Sequence, residues 1–424
     1  MPVLANRKIW VEKASELASV SVGYFAVRLV PRICRPPGQN AKSETMSAKT
    51  ELLKAADALI GGPLCRLLGR ITFHLERQPP HHQRMPSNPK RILVVRPGGI
   101  GDMVLLLPAL RKLQEHFPTA KLEVICERRN LEVLRLSGWT GDVFLYDWQP
   151  FRLCSALLRR RYDIAIDTEQ FHHFSAVFTI LSRAPIRIGF KINPRRNPLY
   201  THLVNYALDG LEAEQFAALL APLGINQSAH WALAGFLKDL SLPINPRLAA
   251  ELASPLEKER LAVLHAGASC RYKKWSCDNF TALIKQLHAE FGLTIALVGS
   301  HADRPESKLI TRSLSPANQA FVRNYTGQLT LAQSAALIKR ARLFVGSDSG
   351  LAHLAVALDV PTVVLFGPSD AQKWGMVNKR HAVVRKTLPC APCFIFGYHR
   401  PCRTLECMRS IQVDDVLTAC RRLL

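Results

Sequence analysis

From residue 90 onward, short apolar runs alternate with stretches whose apolar residues recur at three- and four-residue intervals. RILVV, KLEVICE, YDIAIDT and IRIGF read as strands, and the segments after Asp102, around NLEVLRLS and over FHHFSAVFTILSR read as helices. The alternation weakens over LKDLSLPINPRLAAELASPLEKER and then starts afresh with RLAVLHAG, LTIALVGS, LFVGSDSG and PTVVLFGP. Helices are predicted between these strands at Cys277 to Phe291, near Pro305 to Ser313 and after Leu351. Continuous β-branched runs separated by helices indicate parallel sheets covered on both faces. The pattern predicts an α/β chain with two doubly wound halves: residues 90–240, a connection over 241–258, and residues 259–424. Ligands of such sheets bind at the carboxyl ends of the strands, so the cleft between the halves is the expected site.

Residues 1–89 follow another pattern. Two helical stretches, around Trp10 to Leu29 and Lys49 to Arg77, are separated by the breaker-rich PRICRPPGQNAKSET, and QPPHHQRMPSNP reads as a linker. The second stretch sets Arg66, Arg70 and Arg77 among leucines, which suits either a helix packed on the main body or one lying on anionic lipid. Arg28 and Pro31 break the most apolar run before the roughly 20 residues a bilayer needs. No secretory signal is expected.

The chain has 56 Lys and Arg against 33 Asp and Glu, a net charge of +23, so polyanionic partners are expected. No nucleic-acid-binding motif accompanies the charge, which turns the expectation toward anionic small molecules and membrane surfaces. Seven of the eleven cysteines are scattered singly, mostly in apolar contexts typical of reduced thiols, which points to the cytoplasm.

Candidate chemistry lies in the turns that follow strands. In VGSDSGLAHLAVAL a strand runs into a small-residue turn at a helix start, where the N–H groups of Ser349, Gly350 and Leu351 could hold a diphosphate, with His353 one turn on. Asp348 and Ser349 could equally be simple helix caps. In HAGASCRYKKWS small residues, Ser269 among them, allow close backbone approach, while Arg271, Lys273 and Lys274 supply charge for phosphate oxygens. RPGGIGD has the same strand, glycine turn and helix order but ends in Asp102. Neither glycine loop matches GxxxxGK[ST], and Gly99, Gly101 and Val104 miss the GxGxxG fingerprint.

Taken together, VVRPGGIGDMVLLLPAL, HAGASCRYKKW, TGQLTLAQSAALIKRARLFVGSDSGLAHLAVAL and VPTVVLFGP resemble glycosyltransferase family 9, the lipopolysaccharide heptosyltransferases, over residues 90–424. The resemblance implies a GT-B fold with two Rossmann-like domains, the first for the acceptor and the second for a nucleotide diphosphate sugar, typically ADP-heptose. It implies metal-independent inversion at the anomeric carbon, with no cofactor required. By motif position Asp102 is similar to the family's catalytic base and Lys273 to its donor-contacting lysine. Asp348, Ser349, Gly350 and His353 occupy the donor loop, Leu329 falls where the family packs against adenine, and Asp303 where the ribose is met.

An acceptor hydroxyl needs a carboxylate within reach to take its proton, a role Asp102 can fill, and Lys273 with a helix N-terminus can stabilise the departing diphosphate without a metal. On the acceptor side, Gly99 and Gly101 allow close approach, and Arg128, Arg129, His172, His173, Arg195 and Arg196 are candidates for an acidic glycolipid or oligosaccharide, or else a solvated face. The run C-x2-C-x8-C-x4-C through Cys390, Cys393, Cys402 and Cys407 could hold structural zinc, or remain as thiols or reversible disulfides. The expected function is an inverting transferase of lipopolysaccharide synthesis at the cytoplasmic face of the inner membrane. The alternatives are a family member with another nucleotide sugar or acceptor, and a non-catalytic protein that binds sugar nucleotides or polyanions.

Overall fold

The computed structural model describes residues 55–75, 85–225, 233–242, 260–395, 398–399 and 402–424. The expected helix at Trp10 to Leu29 and nearly all of the 241–258 connection lie outside the described residues. After a π-turn at Asp57–Gly61, helix α1 (Gly62–Leu75) precedes the first sheet. That sheet runs β1 (Arg91–Arg96), α2 (Ile100–His116), β2 (Lys121–Cys126), α3 (Arg128–Leu136), β3 (Asp142–Leu145), α4 (Pro150–Arg159) and β4 (Ile164–Asp167). It continues with α5 (His173–Leu181), β5 (Ile186–Lys191), β6 (His202–Asn205) and α6 (Glu212–Ala218).

The second half begins with β7 (Leu261–His265), α7 (Cys277–Phe291), β8 (Thr294–Leu297), α8 (Arg304–Arg312), α9 (Pro316–Gln319), β9 (Val322–Asn324) and α10 (Leu331–Lys339). It ends with β10 (Leu343–Ser347), α11 (Gly350–Ala357), β11 (Thr362–Phe366), α12 (Ala371–Trp374) and β12 (His381–Arg385), before a small ribbon and the helix α14 (Val413–Leu423), preceded by α13 (Glu406–Arg409).

The sheets have strand orders β3-β2-β1-β4-β5-β6 and β12-β11-β10-β7-β8-β9, and every pairing in them is parallel. Counted from its own first strand, each half is therefore the doubly wound order 3-2-1-4-5-6. Alternate residues of one strand serve opposite layers: Ile92 and Val94 face α2, whereas Leu93 and Val95 face α4 and α5. Both sheet faces are thus apolar, which is why these strands read as uninterrupted runs rather than alternating ones.

The two halves share one core. A single apolar cluster passes from Ile92 and Val94 through α2 and α11 to Val263 and Phe344. Where α2 meets α11, small residues are obligatory. A Cβ on Gly350 would lie 2.7 Å from Ile100 Cβ and 3.2 Å from the Gly101 nitrogen, and one on Gly101 would lie 2.8 Å from His353 Cδ2. A buried ion pair between Lys373 of α12 and Glu212 of α6, 3.0 Å long, joins the halves a second time.

Gly350→Ala is expected to wedge α11 from α2. Overpacking at such a contact costs about 1–3 kcal/mol, to be read as a lower unfolding midpoint in urea, with Ser349→Ala, which adds no bulk, as the control.

Candidate functional site

The three loops singled out in the sequence, together with the turn after β4 that ends in His172, fall at the two places where strand order reverses. In the first sheet the turn after β1 and the turn after β4 flank the β1/β4 crevice; in the second, the turns after β7 and β10 flank β7/β10. A buried cation ties each pair together.

In the first half this is Arg96, which the sequence reading did not single out. Its guanidinium donates to the Thr168 carbonyl at 2.7 Å across the crevice and pairs with Asp102 at 3.2 Å. Asp102 is the third residue of α2, and its carboxylate also accepts from the Gly99 N–H at 2.9 Å. The helix start thus carries its own anion, held by a cap and an arginine, while a quarter of the Asp102 side chain stays open to solvent. Gly98 has φ +121°, a conformation that requires glycine and turns the chain into α2.

In the second half Lys273 Nζ reaches Asp348 Oδ2 at 2.7 Å, and His353 Nε2 lies 3.5 Å from the other oxygen of that carboxylate. Asp348 is therefore a partner of Lys273 and His353 rather than a helix cap. Ser349 occupies the cap position of α11, but its hydroxyl makes no capping bond and meets His265 Nδ1 at 3.2 Å instead. The first N–H groups of α11, including those of Gly350 and Leu351, have no carbonyl of the helix to pair with and face the crevice. Burial alone would raise the Asp348 carboxyl; the Lys273 ammonium and the His353 imidazole outweigh it and hold the group well below the usual carboxylate range.

The remaining donor-side candidates surround this pair. Ser269 is exposed at the tip of the β7 loop, and Leu329 is half-buried on the shared core. Asp303 accepts from the Ser300 N–H and hydroxyl at 2.8 and 2.7 Å and faces His265 Nε2 at 3.6 Å. Of the three basic residues in the β7 loop only Lys273 enters the site: Lys274 pairs with Glu306, and Arg271 stacks on Tyr272.

The acceptor-side candidates separate. Arg128 lies over the Trp148 ring, and Arg129 pairs with Glu127 beside a recess also lined by Asp57, Tyr146, His172 and Phe174. His173 is buried, with Nδ1 3.1 Å from Asp57, and Arg195 lies where α1 begins, next to Gly62. Arg196 departs from expectation. It is 1% exposed and bound to Asp167, Ser175 and Tyr200 at 2.8, 3.2 and 2.7 Å, so it braces β4 against α5 and offers no face to an acceptor. Gly101 likewise serves the approach of α11 rather than an open surface, whereas Gly99 caps α2.

Cys390 is exposed, Cys407 is buried beneath Gly367, and Cys402 accepts from the Leu405 N–H at 3.4 Å. Burial first, and then the nearby Cys390 and Cys402, push the Cys407 thiol up, so these three cysteines lie near one another. Among the described residues no group of three His, Cys, Asp or Glu is arranged to hold a metal ion. No described helix is long and apolar enough to cross a membrane.

The family model of glycosyltransferase family 9 (heptosyltransferase) matches residues 150–402, more than half of the chain. The chain belongs to this family. Among curated relatives, it is 26% identical over 331 residues to lipopolysaccharide heptosyltransferase 2 of Salmonella typhimurium, covering 73% of this chain and 90% of the relative. The ADP-heptose lipopolysaccharide heptosyltransferase II structure from E. coli superposes with TM-score 0.62 at 24% identity, over 78% of this chain and 98% of that one. An E. coli heptosyltransferase solved with ADP-2-deoxy-2-fluoro heptose gives 0.59 at 19% identity, over 79% of this chain and 100% of that one. These likenesses establish a GT-B fold, and the family membership makes the protein a glycosyltransferase.

Because the Asp348 carboxyl is held below its ordinary value of about 3.9, the stabilisation it brings is fully present above that pH and is lost as pH falls through the depressed value. Asp348→Asn takes the counter-charge from the half-buried Lys273, a loss of about 1.5–3 kcal/mol at neutral pH, the worth of a hydrogen bond between charged groups. Denaturant unfolding of the two proteins from pH 7 to pH 2 is expected to show that gap narrowing below pH ~4.

Proposed function

We propose that this family 9 enzyme transfers a heptose from ADP-heptose to an anionic lipopolysaccharide core acceptor, with inversion at the anomeric carbon and without a metal. The reading rests on the names of its relatives for donor and acceptor. For chemistry it rests on one observation: the α2–α11 contact puts Asp102 beside the donor-loop residues Gly350 and His353, because its neighbour Gly101 touches both.

The different surroundings of two carboxylates support different roles. Asp348 is enclosed between Lys273 and His353 and is held strongly ionised, so it is a poor proton acceptor. Asp102 keeps a quarter of its side chain open and is therefore the general base of the proposal. It would take the proton of the acceptor hydroxyl as that oxygen bonds to the anomeric carbon and the bond to the diphosphate breaks. Arg96 and the Gly99 N–H fix its orientation.

Negative charge gathers on the departing nucleotide diphosphate. The open N–H groups of α11 and the Lys273 ammonium are placed to stabilise it, and they need no reorganisation because Asp348 and Ser349 already hold the loop. Asp303 and Leu329 would meet the ribose and adenine, and Ser269 the phosphates. Arg128, Arg129 and His172 line the side proposed for the acceptor.

Purified protein offered a panel of ADP-, UDP- and GDP-sugars with a core acceptor is expected to release ADP from ADP-heptose preferentially. Asp102→Asn should lower kcat by about 10²–10⁴-fold, the usual worth of a general base, while nucleotide-sugar affinity measured by calorimetry stays unchanged. Unaltered turnover in that variant excludes Asp102 as the base.

A further inference from the structure

Helix α1 buries only part of its apolar surface. Its inward stripe of Gly62, Cys65 and Gly69 is set against Arg195, His173 and Pro198, with Leu64 and Leu68 half-buried beside it. Two further large apolar residues stay open: Leu67 is 55% exposed and Ile71 42%, and in the preceding turn Leu59 and Ile60 are 53% and 58% exposed. A helix that only covered the core would show polar residues on that outer face.

A second element also leaves large apolar residues open, although Leu153 and Leu157 on its inner face are buried. Around α4, Trp148, Phe151 and Leu158 are all more than half exposed, Phe151 at 89%. Seven of the nine exposed large hydrophobic residues among the described residues therefore belong to these two elements. Both pack against α5 on the same face of the first sheet, away from α2 and the second half. Scattered single apolar residues would need no explanation, but this clustering does.

The charge that accompanies the patches is of one sign. Residues 58–75 and 148–162 contain no Asp or Glu, and the exposed Arg66, Arg70, Arg152 and Arg159 flank the apolar side chains. Arginines rimming leucines and aromatics complement the headgroups and acyl boundary of an anionic bilayer. We infer that the outer faces of α1 and α4 form one docking surface for an anionic lipid membrane.

The recess of the acceptor domain lies between the two patches. Its lining includes Asp57, two residues before Leu59, and Tyr146, two residues before Trp148. Asp57 fixes α1 there: its carboxylate accepts from the His173 and Phe174 N–H groups at 2.8 and 2.7 Å, which anchors the turn to the start of α5. A bilayer bound across both patches would face the mouth of that recess. This last consequence rests on the proposed glycolipid acceptor; the docking itself does not.

The test is flotation of the full-length chain with vesicles of phosphatidylcholine alone or with phosphatidylglycerol at one lipid in three. Binding to the mixed vesicles and little to the neutral ones is expected. Leu67→Glu/Ile71→Glu and Phe151→Glu should each weaken it about tenfold or more, with unchanged thermal unfolding and unchanged ADP release toward a short water-soluble acceptor. Two results would overturn the inference: wild-type protein that stays with the aqueous phase, or variants that float like wild type. A change from dimer to monomer in Leu67→Glu/Ile71→Glu by light scattering would also overturn it, assigning the face to a second copy. Failure of ADP release from every sugar, with lipid binding intact, would instead strike the proposed reaction.

Discussion

Everything at the cleft depends on how closely two helix beginnings can come together. Gly101 in α2 and Gly350 in α11 bring the backbones within the reach of one methyl group, and neither position has room for a side chain. Two helix N-termini facing each other concentrate positive partial charge, about half an elementary charge each. The fold answers with two carboxylates, Asp102 inside the first turn of α2 and Asp348 just before α11. The glycine turn that ends in an acid, RPGGIGD, faces a second helix start that also carries an acid of its own.

The two acids differ because their cations differ in reach. Lys273 comes from a loop that folds over Asp348 and encloses it together with His353. Arg96, at the end of β1, divides its donors between the Asp102 carboxylate and Thr168, and a quarter of the Asp102 side chain stays open. One switch point thus has an enclosed carboxylate, and the other has an oriented but accessible one. The same topology in both halves yields two chemically unlike sites because the cation lies on the turn after the strand in one and at the strand end itself in the other.

The eight strands legible in the sequence are the inner strands of the two sheets, where both faces are buried and the residues are largely apolar; several helices between them were legible too, but α4, α6 and α10 were not. The strands β3, β6, β9 and β12 were not legible either: each is a sheet edge, and β3 and β6 are not fully buried anywhere along their length. The loops of the site were legible from their glycines and charges, but not the pairing among them, since Lys273 and Asp348 are 75 positions apart. Arg96 left a trace, being the lone charge at the end of an apolar run and thus a buried cation in need of partners. Asp57 left none, because the groups it anchors lie 116 and 117 positions further on.

Buried side chains do not lower the net charge of +23. Among the described residues Arg96, Arg187, Arg196 and Lys373 are buried, and so are Asp57, Glu123, Asp167, Glu169, Glu212 and Asp348. The three arginines join strand ends to loops within the first domain, and the exposed arginines of α1 and α4 add to the positive charge at the periphery. Asp57 connects that periphery to the interior: its carboxylate accepts the first N–H groups of α5 and holds His173 in place, so the segment before the first sheet completes the first domain rather than merely preceding it. Removing residues 1–89 would therefore expose the start of α5 and the stripe that α1 covers, a structural loss in the domain as well as the loss of a surface.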